Sequence, residues 1–325
     1  MITCVAIIGA GQLGSRHLQG IAKVGAVTKI FIVDPSLDSI NVARLRYNEV
    51  VKANDKEVFY LENIEELPSK LDLCIIATNS HIRKSIAERL LERSKVKYII
   101  FEKFLFPEVE DYFIVQNLLD ISGTQAWVNC PRRMYPFYRA LKNSNSCKEP
   151  VSMTVTGSNI LIGTHAIHFL DLFAFLVGCS DVHSIDSTGL HKHLYDSKRD
   201  GYKEFKGNMI FRIGESTLVF QSFEEGNMPL QVAIAVASGR YNVLENNGIV
   251  YYQHDTGGWK LETEPFVKNP QSSLTNLVVE QLNEHGVSDL PTYKESATLH
   301  LKLLESLLAF LDLQLHIETK VCPIT

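Results

Sequence analysis

A glycine-rich segment near the N-terminus has the spacing of a dinucleotide-binding loop. It follows the apolar run Cys4–Ile8 in a Gly-x-Gly-x-x-Gly pattern, and a helical pattern comes next. Glycines at these spacings permit a tight turn and let the backbone approach a pyrophosphate, which free N–H groups at the helix start then face. The alternative is the same fold with an empty crevice. The residues predicted to bind a cofactor here are Gly9, Gly11, Gln12, Leu13 and Gly14.

An acidic residue at the end of the second predicted strand favours one cofactor over another. Asp34 follows Gly14 by twenty positions. Its carboxylate can accept hydrogen bonds from the adenosine ribose hydroxyls and would repel a 2′-phosphate. We therefore expect NAD, with NADP disfavoured. The alternative is that Asp34 only caps the turn before Pro35.

Two charged residues, Glu102 and Lys103, stand at the end of the apolar run Tyr98–Phe101. In an open parallel sheet, ligands bind at the carboxyl ends of the strands. A lysine beside a nicotinamide can hold a substrate oxygen and pass a proton as hydride moves. The alternative is a solvated Glu-Lys pair at the start of a loop.

Two further pairs of residues are candidates for contact with a substrate. His165 and His168 lie three apart, so they occupy neighbouring positions on one helical face, where they could handle a hydroxyl proton. A core histidine with a satisfied partner is the alternative, and a metal site would need a further ligand that is not obvious. Arg132 and Arg133 could bind a carboxylate or phosphate, or could equally form salt bridges between domains.

The elements that must position these residues fall into two groups. Strands alternate with helices up to about residue 130, which indicates a doubly wound parallel sheet. Beyond it, β-rich segments joined by turn signals alternate with three helices. We predict an α/β Rossmann domain for NAD at 1–128, and an α+β domain with a large, mostly antiparallel sheet at 129–325. The second domain is expected to bind substrate and to mediate oligomerisation.

Composition limits the function classes. The 325 residues are 45% apolar and 21% charged with a net charge of −5, so no broad basic field attracts nucleic acid. The six cysteines include no C-x-x-C pair, which argues against a zinc ribbon and for reduced thiols in a cytoplasmic protein. No signal peptide is apparent, and the run Ala166–Cys179 is too short to span a membrane. An exposed sheet face would favour a homodimer or homotetramer.

The motifs in their order resemble the glucose–fructose oxidoreductase, inositol dehydrogenase and rhizopine catabolism (Gfo/Idh/MocA) family over essentially the whole chain. The glycine loop and Asp34 look like its cofactor loop, the Ala77–Ser80 segment resembles its Ala-Thr-Pro loop, and Glu102–Phe104 resembles its Glu-Lys-Pro motif. His168-x-x-Asp171 is similar to its His-x-x-Asp helix.

This resemblance implies an NAD-dependent oxidoreductase that acts on a hydroxyl or carbonyl of a small sugar or nucleotide-sugar-like substrate. Surface polysaccharide biosynthesis is one setting that similar sequences suggest. The resemblance assigns Lys103 and His168 to catalysis. It places Thr78, Asn79 and Glu102 at the cofactor. It places Lys103, Arg132, Arg133, Thr164, His165 and His168 at the substrate.

The chain departs from the family pattern at four positions. Phe104 and Asn79 replace prolines, and Arg83 stands where the loop histidine is usual. Many members have an aspartate four residues before the helix histidine, where this chain has Thr164. A threonine cannot replace a carboxylate as proton acceptor, although its hydroxyl could orient a substrate. Two other functions therefore stay open: an NAD(H)-binding regulatory or scaffold protein without turnover, and a C=N or C=C reductase.

Overall fold

The computed structural model describes residues 1–51, 56–144 and 149–325, so Cys147 lies outside the described residues. The chain forms two compact units. The first comprises Met1–Phe106, Glu110–Asn129 and Asn269–Ser296, and the second comprises Pro107–Val109, Cys130–Lys268 and Ala297–Thr325. The chain thus passes to the second unit beside the boundary expected at 128/129. It later returns to the first unit for residues 269–296. The prediction of two contiguous domains did not include this return.

The first unit is built on a six-stranded parallel sheet. Its strands are β1 (Cys4–Ile8), β2 (Lys29–Val33), β3 (Glu57–Leu61), β4 (Lys70–Ile76), β5 (Lys95–Phe101) and β6 (Gln125–Val128). They lie in the order β3-β2-β1-β4-β5-β6, the doubly wound arrangement whose strand ends open onto a ligand crevice. Continuous apolar runs suit the central strands because both faces are covered; Val5, Ala6 and Ile7 of β1 are fully buried.

Eight α-helices occur in the described part of the chain. They are α1 (Gly14–Ile21), α2 (Leu37–Val50), α3 (Ser80–Arg93), α4 (Val109–Ser122), α5 (Pro136–Asn143), α6 (Ile162–Val177), α7 (Gln271–His285) and α8 (Tyr293–Leu315). Helix α7 packs on α1 within the first unit. The contact is close, since a Cβ added at Gly20 would lie 2.6 Å from the Cβ of Thr275. That packing explains why 269–296 belongs with the N-terminal sheet.

The second unit contains a large mixed sheet and a short hairpin. The ten strands are β7 (Ser152–Ser158), β8 (Ser184–Asp186), β9 (Tyr195–Asp196), β10 (Lys203–Glu204), β11 (Gly207–Ile213), β12 (Ser216–Phe223), β13 (Gln231–Val236), β14 (Gly239–Leu244), β15 (Ile249–His254) and β16 (Glu262–Pro265). Eight of them lie in the order β16-β15-β14-β13-β7-β12-β11-β8, and β9 pairs with β10. Only the β7–β12 pair is parallel among these described pairings. The predicted fold class is confirmed for both units.

Helix α6 covers one face of this sheet and carries three of the predicted site residues. It is apolar enough to be buried along most of its length, and Phe169 packs against Phe220 of β12 with ring centroids 5.9 Å apart. The helix ends at Gly178, whose φ of 82° is the left-handed conformation that favours glycine. No helix in the described part of the chain is both long and apolar enough to cross a membrane.

Candidate functional site

The glycine loop connects β1 to α1 and is held by contacts that only glycine permits. Gly9 has φ of 95° and donates its N–H to the Val33 carbonyl oxygen at 2.9 Å. A Cβ at Gly14 would lie 1.7 Å from the Gly9 carbonyl oxygen, whereas a Cβ at Gly11 would meet nothing within 4 Å. Gly9 and Gly14 therefore fix the turn. Gly11 leaves open space beside the backbone, as the approach of a pyrophosphate requires.

Asp34 at the end of β2 is attached to this loop. One carboxylate oxygen accepts the N–H of Ala10 at 2.7 Å, and the other accepts the N–H of Ser36 at 2.9 Å. The second bond is the turn-capping role that we considered as an alternative. The first places the carboxylate beside the glycine loop, so both roles are available to the one side chain. Contact with a ribose stays a prediction.

The predicted loop residues Gln12 and Leu13 lie at the start of α1, beside an arginine that the sequence analysis overlooked. Arg46, on α2, donates to both the side-chain oxygen and the backbone carbonyl of Gln12, at 2.6 and 2.9 Å. It also donates to the Ser15 hydroxyl at 2.6 Å. Leu13 occupies the N-cap position, and no side-chain hydrogen bond caps α1 there. Arg46 thus fixes the outer side of the turn and leaves the helix start itself without a side-chain cap.

Thr78 and Asn79 follow β4, the neighbour of β1. The Thr78 hydroxyl oxygen is buried, yet it has no hydrogen-bond partner among the residues that the structure describes. A buried hydroxyl without a partner is costly, and a ligand group is one way to satisfy it. Asn79 is the N-cap residue of α3. Thr78 is therefore the side chain in this loop whose unmet hydrogen bond fits a bound cofactor.

Lys103 comes directly after β5, at the carboxyl edge of the same sheet, and is partly exposed. The preceding Glu102 is only 3% exposed. Its carboxylate accepts from the Nε2 atom of His17 at 2.9 Å and from the amide of Asn129 at 2.6 Å. We predicted that Glu102 contacts the cofactor, whereas the structure gives this carboxylate two partners in the protein. Those partners fix the backbone at the base of Lys103.

Burial by itself would raise the pKa of Glu102. Hydrogen bonds from His17 and Asn129, together with Coulombic attraction to His17 and Lys103, outweigh it, so the pKa of Glu102 lies below its ordinary value. The second ring nitrogen of His17 lies 2.9 Å from the Thr275 hydroxyl of α7. Sequence reasoning missed His17; its position three residues after Gly14, facing inward from α1, was the available signal. The network ties α1, β5 and α7 together beneath Lys103.

Arg83, the residue in place of the usual histidine, is 1% exposed. Its guanidinium donates to the backbone carbonyls of Phe104, Leu105 and Thr78. The segment from Phe104 to Phe106 is fully buried, so its carbonyls need donors within the protein. One arginine therefore clamps the loop after β4 to the loop after β5. Two of the departures from the family pattern, Arg83 and Phe104, are in direct contact.

In the second unit, α6 carries Thr164, His165 and His168 in its first half. The Nδ1 atom of His165 lies 2.9 Å from the carbonyl oxygen of Leu161, within the same helix turn. The Thr164 hydroxyl donates to the carboxylate of Glu204, which also accepts the Thr164 N–H at 3.2 Å. Glu204 lies on β10 and is fully buried. Sequence reasoning missed it, because nothing local marks it.

The two predicted substrate arginines both hold carboxylates of their own unit. Arg132 donates twice to Glu245, at 3.0 and 3.1 Å, and Arg133 donates twice to Asp171 of α6, at 3.0 and 2.6 Å. The salt bridges thus lie inside the second unit and not between domains, contrary to the alternative we considered. The Arg132 guanidinium also lies 4.1 Å from the centroid of the Phe169 ring. Both arginines brace the helix that carries His168.

The N-terminal part of the chain matches a known family. Residues 3–130 match the Gfo/Idh/MocA model, described as an oxidoreductase family with an NAD-binding Rossmann fold. A search of curated proteins finds no significant match.

Solved structures share the fold along nearly the whole chain. UDP-N-acetylglucosamine 3-dehydrogenase GnnA from Acidithiobacillus ferrooxidans is 15% identical, with a TM-score of 0.71 over 98% of this chain and 99% of that one. An oxidoreductase from Agrobacterium radiobacter, solved with NAD⁺, L-tartaric acid and magnesium, is 14% identical, with a TM-score of 0.72 over 94% and 95%. A super-repressor mutant of Gal80p from Saccharomyces cerevisiae is 14% identical, with a TM-score of 0.71 over 95% and 96%.

At these identities the structural likeness establishes the fold, while the match over residues 3–130 is to a family model described as NAD-binding. The resemblance inferred from the motifs and the predicted NAD cofactor are both confirmed. Residues 3–130 of this chain thus match the NAD-binding Rossmann unit of the Gfo/Idh/MocA oxidoreductase family.

Proposed function

We propose that this protein is an NAD-dependent oxidoreductase that acts on a hydroxyl or carbonyl group of a sugar or nucleotide-sugar-like molecule. The observation that carries the proposal is Lys103, placed at the carboxyl end of β5 on a backbone that His17, Glu102 and Asn129 hold. A lysine beside the cofactor loops, next to a residue that the protein holds in place, suits proton transfer to or from a substrate oxygen.

The residues that would hold NAD surround the carboxyl ends of β1, β2 and β4. Gly11 leaves room for the pyrophosphate, and Asp34 would accept hydrogen bonds from the adenosine ribose, which favours NAD over NADP. The unsatisfied Thr78 hydroxyl would gain a partner. When bound, NAD supplies the acceptor or donor of a hydride.

The protein's own part in the reaction is proton transfer and positioning. Lys103 would take the proton from a substrate hydroxyl in the oxidation direction and return it in reduction. His168 would contact the substrate from α6, where Arg133 and Asp171 hold the helix. Arg132 and Arg133 already bind carboxylates, so we assign them to support of α6 and not to a substrate anion.

The substrate class rests on structural relatives. GnnA is by name a UDP-N-acetylglucosamine dehydrogenase, and another structural neighbour is described as a putative myo-inositol dehydrogenase. Both names describe ring compounds with several hydroxyl groups. A nucleotide sugar in surface polysaccharide biosynthesis fits the first of them. A cytoplasmic homodimer or homotetramer, associating through the sheet of the second unit, completes the proposal.

A second candidate is an NAD(H)-binding regulator without turnover. It is favoured by the structural likeness to the super-repressor mutant of Gal80p and by Thr164 in place of a carboxylate. Such a protein would bind NAD(H) with the same loop residues, while Lys103 would be dispensable for its activity.

One assay separates the two candidates. The purified protein is incubated with NAD⁺ and a panel of sugars, polyols and UDP-sugars, and the absorbance of reduced nicotinamide is followed. Sustained NADH formation with at least one compound supports the oxidoreductase. Tight NAD binding by calorimetry without NADH formation across the panel, in either reaction direction, supports the regulator.

A further inference from the structure

Arg46 on α2 is a cationic side chain that the proposed reaction does not yet use. Its Nη2 atom donates to the Oε1 atom of Gln12 at 2.6 Å. Its Nη1 atom donates to the Gln12 carbonyl oxygen at 2.9 Å and to the Ser15 hydroxyl at 2.6 Å. One guanidinium therefore spans the glycine loop and the first turn of α1.

Further hydrogen bonds hold the arginine in this position. Its backbone carbonyl accepts from the side-chain amide of Gln19, on α1, at 3.0 Å, and Gln19 is only 3% exposed. Ser15 is fully buried, and its hydroxyl donates to the Gly11 carbonyl oxygen at 2.6 Å. Arg46 is thus tied to the glycine loop through Gln12 directly and through Ser15 to Gly11.

The positive charge of Arg46 has no carboxylate within ion-pair distance among the residues that the structure describes. The carboxylate of Glu49, on the same helix, accepts instead from Gln19 at 2.8 Å. A guanidinium without a carboxylate partner gives the loop beside it a positive electrostatic potential, which attracts an anionic ligand.

The chemistry of arginine also fixes the orientation of the Gln12 amide. A guanidinium can only donate, so the Gln12 side-chain atom that faces it is the oxygen, Oε1. The amide nitrogen, Nε2, carries two N–H donors and has no partner in the described part of the chain. Arg46 therefore leaves a donor, and not an acceptor, at the free end of this loop side chain. A pyrophosphate offers only acceptor oxygens at neutral pH.

We propose that Arg46 is a positioning residue for the dinucleotide. It orients Gln12 so that the Nε2 amide donates to a pyrophosphate oxygen of NAD, and it adds its own positive charge beside the loop. Without this arginine, the Gln12 amide could present either its oxygen or its nitrogen, and ordering the side chain on binding would cost affinity. The inference rests on the proposed function, since it requires the NAD pyrophosphate at the glycine loop.

The first test compares two changes at Gln12, an exposed side chain whose replacement should not impair folding. Gln12→Leu removes the donor and should weaken NAD⁺ binding by about 10-fold, the usual value of a charge-assisted hydrogen bond. Gln12→Glu replaces the donor with a negatively charged acceptor and should weaken binding by about 100-fold. Calorimetric titration measures both. A Gln12→Glu variant that binds NAD⁺ no more weakly than Gln12→Leu overturns the proposal, because the free end of the side chain would then not face a phosphate.

The second test asks whether Arg46 acts through Gln12. Arg46→Met should weaken NAD⁺ binding by about 10-fold in the wild-type background. In the Gln12→Leu background it should cost at most about 3-fold, from the lost surface charge alone. Arg44→Met on the same helix is the matched control, since the Arg44 guanidinium lies 4.6 Å from the centroid of the Tyr60 ring, and it should leave NAD⁺ affinity unchanged.

A purely structural arginine gives a different pattern. Arg46→Met would then cost the same factor in both backgrounds, and that additivity overturns the proposal. Urea unfolding without cofactor controls for folding, and the comparison at Gln12 decides the matter if Arg46→Met does not fold. A wild-type protein that does not bind NAD⁺ contradicts the proposed function and this inference together. NAD⁺ binding with additive changes contradicts this inference alone.

Discussion

The two units differ in how far apart along the chain their chemical partners lie. In the first unit, the predicted cofactor and proton-transfer residues follow β1, β2, β4 and β5, which are neighbours in the parallel sheet, so the sheet gathers these residues at one edge. In the second unit, Thr164 finds its carboxylate 40 residues away, and Arg132 finds Glu245 at a separation of 113. A site formed by residues at the ends of parallel strands can therefore be predicted from sequence. A site held by buried ion pairs between distant residues cannot.

The glycine loop offers the largest test of the first unit. Gly14→Ala would place a methyl group 1.7 Å from the Gly9 carbonyl oxygen, so we expect destabilisation of about 3 kcal/mol or more and loss of NAD binding. Gly11→Ala is the matched control, since its methyl group meets nothing within 4 Å. It should keep near-normal stability while weakening NAD binding. Urea unfolding and calorimetry measure both. Equal stability of the two variants would mean that the loop is not packed as described.

Arg83 tests whether the two strand-end loops depend on a residue that no motif marks. Arg83→Met removes the donors to three backbone carbonyls, and we expect a loss of about 3 kcal/mol in unfolding free energy. Arg89→Met on the same helix removes only an exposed pair with Glu65 and should leave the urea midpoint nearly unchanged. Similar midpoints for both variants would contradict the clamp.

Restoring the family's aspartate tests the second unit. Thr164→Asp would place a second carboxyl group against that of the buried Glu204, and two carboxyl groups in contact cannot both ionise without cost. We expect destabilisation of about 2 kcal/mol, measured by urea unfolding. The double variant Thr164→Asp with Glu204→Gln should recover most of the loss. An undiminished stability of the single variant would show that residue 164 is not held against Glu204 as described.

Asp34 gives the smallest expected effect. The wild-type protein should bind NAD(H) more tightly than NADP(H), because the carboxylate repels a 2′-phosphate. Asp34→Asn should reduce that preference by about 10-fold, the equivalent of about 1.4 kcal/mol. Calorimetric titration with both cofactors measures it. A wild-type protein that binds NADP(H) as tightly as NAD(H) would show that Asp34 does not face the ribose.

Sequence reasoning reached the fold class of both units because strand periodicity and turn residues are local signals. Helix α2 gives only a weak helical pattern, because its buried face consists of Ile40, Ala43 and Tyr47. Sequence reasoning missed the two-residue strands β9 and β10, which are too short to show alternation. Sequence reasoning therefore also missed Glu204 of β10, whose contact with Thr164 is tertiary and is not marked by neighbouring residues.

Within the site, the residues that follow strand ends could be predicted from sequence. The residues that hold them in place could not. Lys103 and Asp34 have positions that the sheet alone dictates. His17 and Thr275 meet only because α7 returns to pack on α1, and no sequence spacing encodes that return. From the sequence, Arg83 is only a replacement of the family's usual histidine. In the structure its guanidinium donates to three backbone carbonyls, whereas an imidazole has at most two N–H donors.

The central claim is that Lys103 transfers the proton. Its direct test is the turnover of Lys103→Ala on the best panel compound at saturating NAD⁺, with Lys95→Ala, an exposed residue at the opposite end of β5, as the control. The account predicts a loss of about 10²–10⁴-fold with NAD affinity nearly unchanged, and no rescue by Lys103→Arg, whose guanidinium stays protonated. Full turnover by Lys103→Ala would contradict it and would move the proton-transfer role to His168 or His165.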